Sequence, residues 1–69
     1  MREGIVYTET VVYLAPERLA AEAPYQVAII ELEDGGRLAA RVTGERVAIG
    51  DKVSEAVIED GVHFFQKQL

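Results

Sequence analysis

The chain has no cysteine, no tryptophan and no asparagine, a single serine, a single histidine and only two lysines. Without thiols it forms no disulfides and offers no ligands to a cysteine-based zinc site. With only Ser54 and His63 to draw on, one nucleophile–base pair is the most it could assemble, and a carboxylate would have to converge on both. Ser54 sits inside Val53-Ser54-Glu55, a strand pattern rather than a strained turn that would project its hydroxyl. His63 alternates with Val62 and Phe64, which predicts a solvent-facing strand position. No catalytic activity is expected. Long apolar runs are lacking too: none exceeds four or five residues, far short of a membrane span. Met1-Arg2-Glu3-Gly4 has no apolar stretch of the secretory type, so the expected location is the cytoplasm. Positive charge is scarce, with seven basic residues against twelve acidic ones and a net charge of −5. Such a surface releases few counterions from nucleic acid and is not drawn to anionic lipid.

What is present is β-sheet chemistry. Sixty-nine residues, 49% of them hydrophobic, suffice for one small core and one domain spanning 1–69. Gly4 to Tyr13 is rich in β-branched and aromatic residues, with apolar positions on both parities, as in a long strand that bends and changes the face it buries. Pro16 to Glu22, bounded by Pro24, reads as a loop with one or two helical turns. Tyr25 to Glu33 and Arg37 to Val42 read as a hairpin. Placing Leu32 opposite Leu38, Ile30 opposite Ala40 and Ala28 opposite Val42 gives one apolar stripe and a connection Asp34-Gly35-Gly36. The same register sets Glu33 opposite Arg37, a pair worth ~0.2–1 kcal/mol. Thr43 to Gly50 is a connector. A fourth strand, Lys52 to Glu59, has its alternation disturbed near Glu55-Ala56, and the turn Glu59-Asp60-Gly61 leads to a fifth, Val62 to Gln66, before a frayed tail. Five strands with a long first member and a tight second hairpin predict an all-β, five-stranded Greek-key OB-fold barrel, with an SH3-like barrel as the competitor. Closure also removes exposed sheet edges.

Candidate sites are few. Glu31 and Glu33 share a strand face, as a metal or paired-carboxylate site requires, but period-two charge is also what a barrel exterior looks like. Asp34-Gly35-Gly36 is a turn and not a phosphate loop, because no helix follows it. From Gly35 to Lys52 there are four basic residues (Arg37, Arg41, Arg46, Lys52) and two acidic ones (Glu45, Asp51), net +2, which leaves −7 for the rest. Arg37 and Arg41 have the outward parity on the face where OB barrels bind ligands, so these four are the candidate anion-binding residues. The stretch holds no aromatic side chain on which bases could stack. Phe64 or Phe65 must enter the core by alternation. Tyr7 and Tyr13, with Val11 between them, either line the core, which is the first expectation, or form a surface for a protein partner. The sequence leaves self-association into a homo-oligomer open.

Three runs together resemble a known family: Gly4-Ile5-Val6-Tyr7-Thr8-Glu9-Thr10-Val11-Val12, then Pro24 through Val42 with Glu31-Leu32-Glu33-Asp34-Gly35-Gly36-Arg37 at its centre, then Ile49-Gly50-Asp51-Lys52-Val53. They are similar to the acyl-CoA-associated OB-fold family known as domain of unknown function thirty-five. The resemblance implies a non-catalytic partner of thiolase-like, hydroxymethylglutaryl-CoA-synthase-like or hydratase enzymes that scaffolds complexes and holds or channels acyl-CoA. Members of that family usually carry a zinc ribbon ahead of the barrel; this sequence has neither the ribbon nor its cysteines, so no zinc is implied, and its Thr43–Gly50 connector is shorter than the family's. The middle of the chain, at Glu31-Leu32-Glu33-Asp34-Gly35, Arg41-Val42-Thr43-Gly44 and Gly50-Asp51-Lys52-Val53, more weakly resembles the S1-like barrel of bacterial translation initiation factors, which would imply a single-stranded RNA or DNA binder.

Overall fold

The computed structural model of the chain describes residues 2–14 and 16–68, with Arg18 described by its backbone. Five strands and one 3-10 helix follow in the order β1 (Glu3–Val12), η1 (Glu17–Glu22), β2 (Tyr25–Leu32), β3 (Arg37–Val42), β4 (Lys52–Glu59) and β5 (Val62–Lys67). The strands close into a barrel in the order β1-β2-β3-β5-β4, with β4 returning to β1. All pairs are antiparallel except β3 with β5, whose short parallel seam joins Arg41 to Phe64 and Val42 to Phe65. This is the expected OB-fold. Among the described residues no helix is long and apolar enough to cross a membrane.

Alternation decides what fills the barrel. Ala28 and Ile30 of β2, Ala40 of β3, Val53 of β4 and Phe65 of β5 point inward and are buried with Val6 of β1. Leu32, Leu38 and Val42 pack against them from the ends. Two bulges bend the wall. In β1 the register slips between Val6 and Thr8, so that Tyr7 is the extra residue. Before it, Gly4 and Val6 face in; after it, Glu9 and Val11 lie opposite the inward-facing Ala28 and Gln26. That slip is why apolar residues of this strand fall on both parities. The second bulge, between Glu55 and Val57, is where the β4 pattern breaks.

The hairpin register differs from expectation by two residues. Ile30 pairs with Leu38, Ala28 with Ala40 and Gln26 with Val42. The Leu32 N–H donates to the Gly36 carbonyl at 3.0 Å and the Gly35 N–H to the Leu32 carbonyl at 3.1 Å, so the loop is Glu33-Asp34-Gly35. A shift of two keeps every side chain on its face, and alternation cannot detect it. Both Gly35 (φ 101) and Gly36 (φ 83) adopt left-handed backbone, and either could close the turn. Arg37 consequently meets Glu31 rather than Glu33.

The connector also does more than connect. Val47 from it is buried in the core, and the segment is tied to β1 where the Val6 N–H donates to the Asp51 carbonyl (3.0 Å) and the Gly50 N–H to the Val6 carbonyl (2.9 Å). β5 runs one residue further than expected, through Lys67, and the Gln68 N–H reaches the Lys52 carbonyl at 2.9 Å. The expected frayed tail is therefore paired as far as Gln68; its last residue, Leu69, lies outside the described residues.

Candidate functional site

Arg37 and Arg41 project outward from β3, and each meets aromatic rings brought in by other strands. The Arg37 guanidinium lies 3.9 Å from the centroid of the Tyr7 ring and bonds Glu31 at 3.4 Å. Arg41 lies over Tyr25 at 4.2 Å and Phe64 at 5.1 Å, and donates to Glu22 at the end of η1 at 2.8 Å. Its buried Nε has no acceptor; the electron-rich ring faces offset that loss. Linear sequence shows no aromatic residue near these arginines, yet folding supplies three. Their charge, however, is already answered by carboxylates. Arg46, in the β3–β4 connection, and Lys52, at the start of β4, are exposed with no ion-pair partner among the described residues. The four basic residues thus divide into two engaged in structure and two turned to solvent.

The tyrosines are not core. Tyr7 is 51% exposed and Tyr13 67%, contrary to the first expectation. The bulge holds Tyr7 on the outer wall beside Arg37, and Tyr13 lies beyond the end of β1. Val11, after the bulge, pairs with the inward-facing Gln26, so it does not share the face of Tyr7. Ile5 does: it pairs with Glu31 on one side and Lys52 on the other, and is also exposed.

A polar cluster closes one end of the barrel. Glu55, just before the β4 bulge, faces in opposite Phe65 and is buried. His63 Nδ1 lies 2.8 Å from its Oε2, and Arg2 donates to the same oxygen at 3.1 Å. Arg2 also approaches His63 Nδ1 at 3.0 Å, so this nitrogen donates to Glu55 when protonated and accepts from Arg2 when not. His63 is therefore half-buried and bonded, not solvent-facing as its pattern predicts. Ser54 pairs with the exposed Gln66, on the opposite side of the wall from His63, so the two do not form a nucleophile–base pair. Glu31 and Glu33 do not share a strand face either, since Glu33 belongs to the turn.

Hydrogen bonds from His63 and then Arg2 hold the Glu55 carboxyl below its ordinary value near 4.5, against the opposing effect of burial. A carboxylate depressed in the folded state contributes stability that is present above its unfolded pKa and lost as the pH falls through the folded one. Thermal unfolding measured from pH 7 downward is expected to show stability declining below about pH 4.5. In Glu55→Gln that decline is shallower; an unchanged acid limb would remove the cluster from the account.

Residues 1–59 match the family described as ChsH2, C-terminal OB-fold domain. A protein of Methanocaldococcus jannaschii named DUF35 domain-containing scaffold protein is 46% identical over 66 residues, covering 86% of this chain and 46% of that protein. Among solved structures, the Ltp2-ChsH2(DUF35) aldolase superposes with a TM-score of 0.74 at 29% identity, over 96% of this chain and 57% of that one. The chain spans about half the length of these relatives. With the barrel, its bulged first strand and these matches together, the chain belongs to the DUF35 family, as an OB-fold domain of the ChsH2 C-terminal type.

Proposed function

We propose that the protein is a non-catalytic OB-fold scaffold that docks on an acyl-CoA enzyme of the thiolase type in the cytoplasm and adds basic side chains to the contact with CoA. The observation that carries this reading is an uncovered apolar wall on a chain with a relative named as a scaffold. Ile5 and Tyr7 stand on that wall, flanked by Lys52 and Arg37. Aromatic and large aliphatic side chains in this setting are what protein interfaces bury at their centres, with charge at the rim. Arg46 and Lys52 are the side chains free to meet a phosphate, because Arg37 and Arg41 are held by Glu31 and Glu22. Those carboxylates also weigh against the single-stranded nucleic acid alternative, whose binding surface needs unneutralised cations beside open ring faces.

Affinity capture of the tagged full chain from its host's lysate is the test. A thiolase-like enzyme is expected among the captured proteins, and Tyr7→Ala should weaken that complex by about tenfold or more, as loss of a central aromatic anchor does. Recovery of RNA and ribosomal proteins in place of such an enzyme would overturn the proposal, and so would a Tyr7→Ala variant that binds as well as the parent.

A further inference from the structure

A groove of about 400 Å³ lies between η1, β3 and the β4–β5 hairpin, on residues that the proposed function does not use as a docking wall. Leu19, Val62 and Phe64 give it an apolar lining, while Glu22, Glu59 and Asp60 give it carboxylates. Among the described residues the one cation in the lining, Arg41, is committed to Glu22 at 2.8 Å and to two aromatic rings. Glu59 and Asp60 are exposed, and among the described residues neither has an ion-pair partner. Among the described residues, three carboxylates against one guanidinium leave the groove with a surplus of negative charge over an apolar floor. The hairpin tip that carries two of them is a two-residue turn with Asp60 (φ 51) and Gly61 (φ 76) both left-handed, the tight form that fixes its flanking residues before any partner arrives.

From this geometry we infer that the groove is a docking site for a short basic segment of a protein partner, one lysine or arginine next to an aliphatic residue. The charge rejects phosphate-bearing ligands, which face Glu22, Glu59 and Asp60, so this is a different site from any that contacts CoA. The volume is in the lower part of the roughly 300–1,000 Å³ range of ligand pockets, enough for two or three side chains. A lysine or arginine suits both halves of the lining at once, because its methylene stem lies along Leu19 and Phe64 while its head reaches Glu59 and Asp60. Val57, paired with Phe64, and Val62 continue as exposed apolar side chains on the same face of the hairpin, and a polypeptide covers them where a small cation does not.

The experiment is a titration of the isotope-labelled full chain with three probes at equal concentration: a capped Lys-Leu-Arg tripeptide, a capped Glu-Leu-Glu tripeptide and spermidine, followed by amide chemical shifts. The basic tripeptide is expected to give saturable shifts confined to residues 59–64 and η1, weakened by salt, and the doubly substituted Glu59→Gln, Asp60→Asn chain to bind it about fivefold or more weakly. Both substitutions lie at an exposed turn, and the spectrum itself reports whether the barrel stays folded. No saturable shift from the basic tripeptide overturns the inference, as does an equal response to the acidic one or unchanged affinity in the double variant. Spermidine binding as tightly as the peptide also overturns it, by showing a site for small organic cations. None of these outcomes depends on whether the partner is an acyl-CoA enzyme.

Discussion

Gly4→Ala is expected to lower the unfolding free energy by about 3 kcal/mol, the upper part of the range for overpacking a closed core. A Cβ placed on Gly4 would sit 2.5 Å from the carbonyl oxygen of Glu31 and 2.6 Å from Cγ2 of Ile30, with the Glu31 carbonyl carbon at 3.1 Å. The first of these neighbours is backbone and cannot swing aside. Glu31 is laddered to Ile5 on one side and Arg37 on the other, so moving it means moving two strands. Gly4 itself is held between Leu32 of β2 and Val53 of β4, the point where β1 closes the barrel. In an open position the same substitution would gain about 0.4–1 kcal/mol by restricting the unfolded chain; here the clash exceeds that gain and sets the sign. Domains have roughly 0.05–0.15 kcal/mol of stability per residue, so a loss of this size removes a large share of the total. In a heat-unfolding experiment the midpoint should fall by about 10 °C or more. A midpoint within about 2 °C of the parent would mean that β1 crosses β2 less closely than these distances state.

Gly4 illustrates which features are legible in the residues and which are not. The glycine is visible in the sequence, but the strand that crosses it is nearly thirty positions away along the chain. What alternation encodes is parity, and in the hairpin parity was recoverable: Ile30 and Ala40 are inside because their spacing says so, whereas in β5 it left Phe64 and Phe65 as alternatives and set His63 on the wrong side. Register is a second quantity that parity does not contain, and with two glycines in succession the turn chemistry could not supply it. Bulges were legible only as disturbances. The broken pattern near Glu55-Ala56 marks one correctly, but nothing in it says that the extra residue is Ala56 and that the carboxylate before it turns inward to meet His63 and Arg2.

The same distinction explains the candidate site. Outward placement of Arg37 and Arg41 follows from period two. Their partners do not, because Tyr7, Tyr25, Phe64 and Glu22 arrive from β1, β2, β5 and η1. A net +2 segment in the sequence is therefore not a +2 surface in the fold: Glu22 and Glu31 return part of that charge from outside the segment. Tyr7 reaches the surface for a comparable reason, since the β1 bulge sets it apart from Val11 despite their shared parity.

The least legible residue is Gln26, and its replacement is the second large effect. Occupying an inward position of β2 and almost fully buried, it uses its side-chain amide as a substitute backbone. Its Nε2 donates to the Val47 carbonyl at 2.8 Å and its Oε1 accepts from the Val47 N–H at 2.9 Å, while Nε2 also donates to Glu9 at 2.8 Å. This pairing brings Val47 of the β3–β4 connection into the core without leaving its peptide groups unsatisfied. Gln26→Leu keeps the approximate volume and adds apolar contact, yet leaves a buried N–H and a buried carbonyl with no partner. Each such group costs about 1–3 kcal/mol. Glu9 is only half-buried and recovers its hydrogen bond from water, so its share of the cost is small. The expected net loss is about 2–4 kcal/mol in urea unfolding, with little change in the slope, since the surface exposed on unfolding is nearly the same. Amide exchange locates the cause: the Val47 N–H, and those of residues 48–51 that follow it, should exchange faster in the variant than the β2–β3 ladder does. If Val47 stays protected while the protein loses stability uniformly, the loss comes from misfit of leucine in the barrel and the amide clamp is not what holds the connection down.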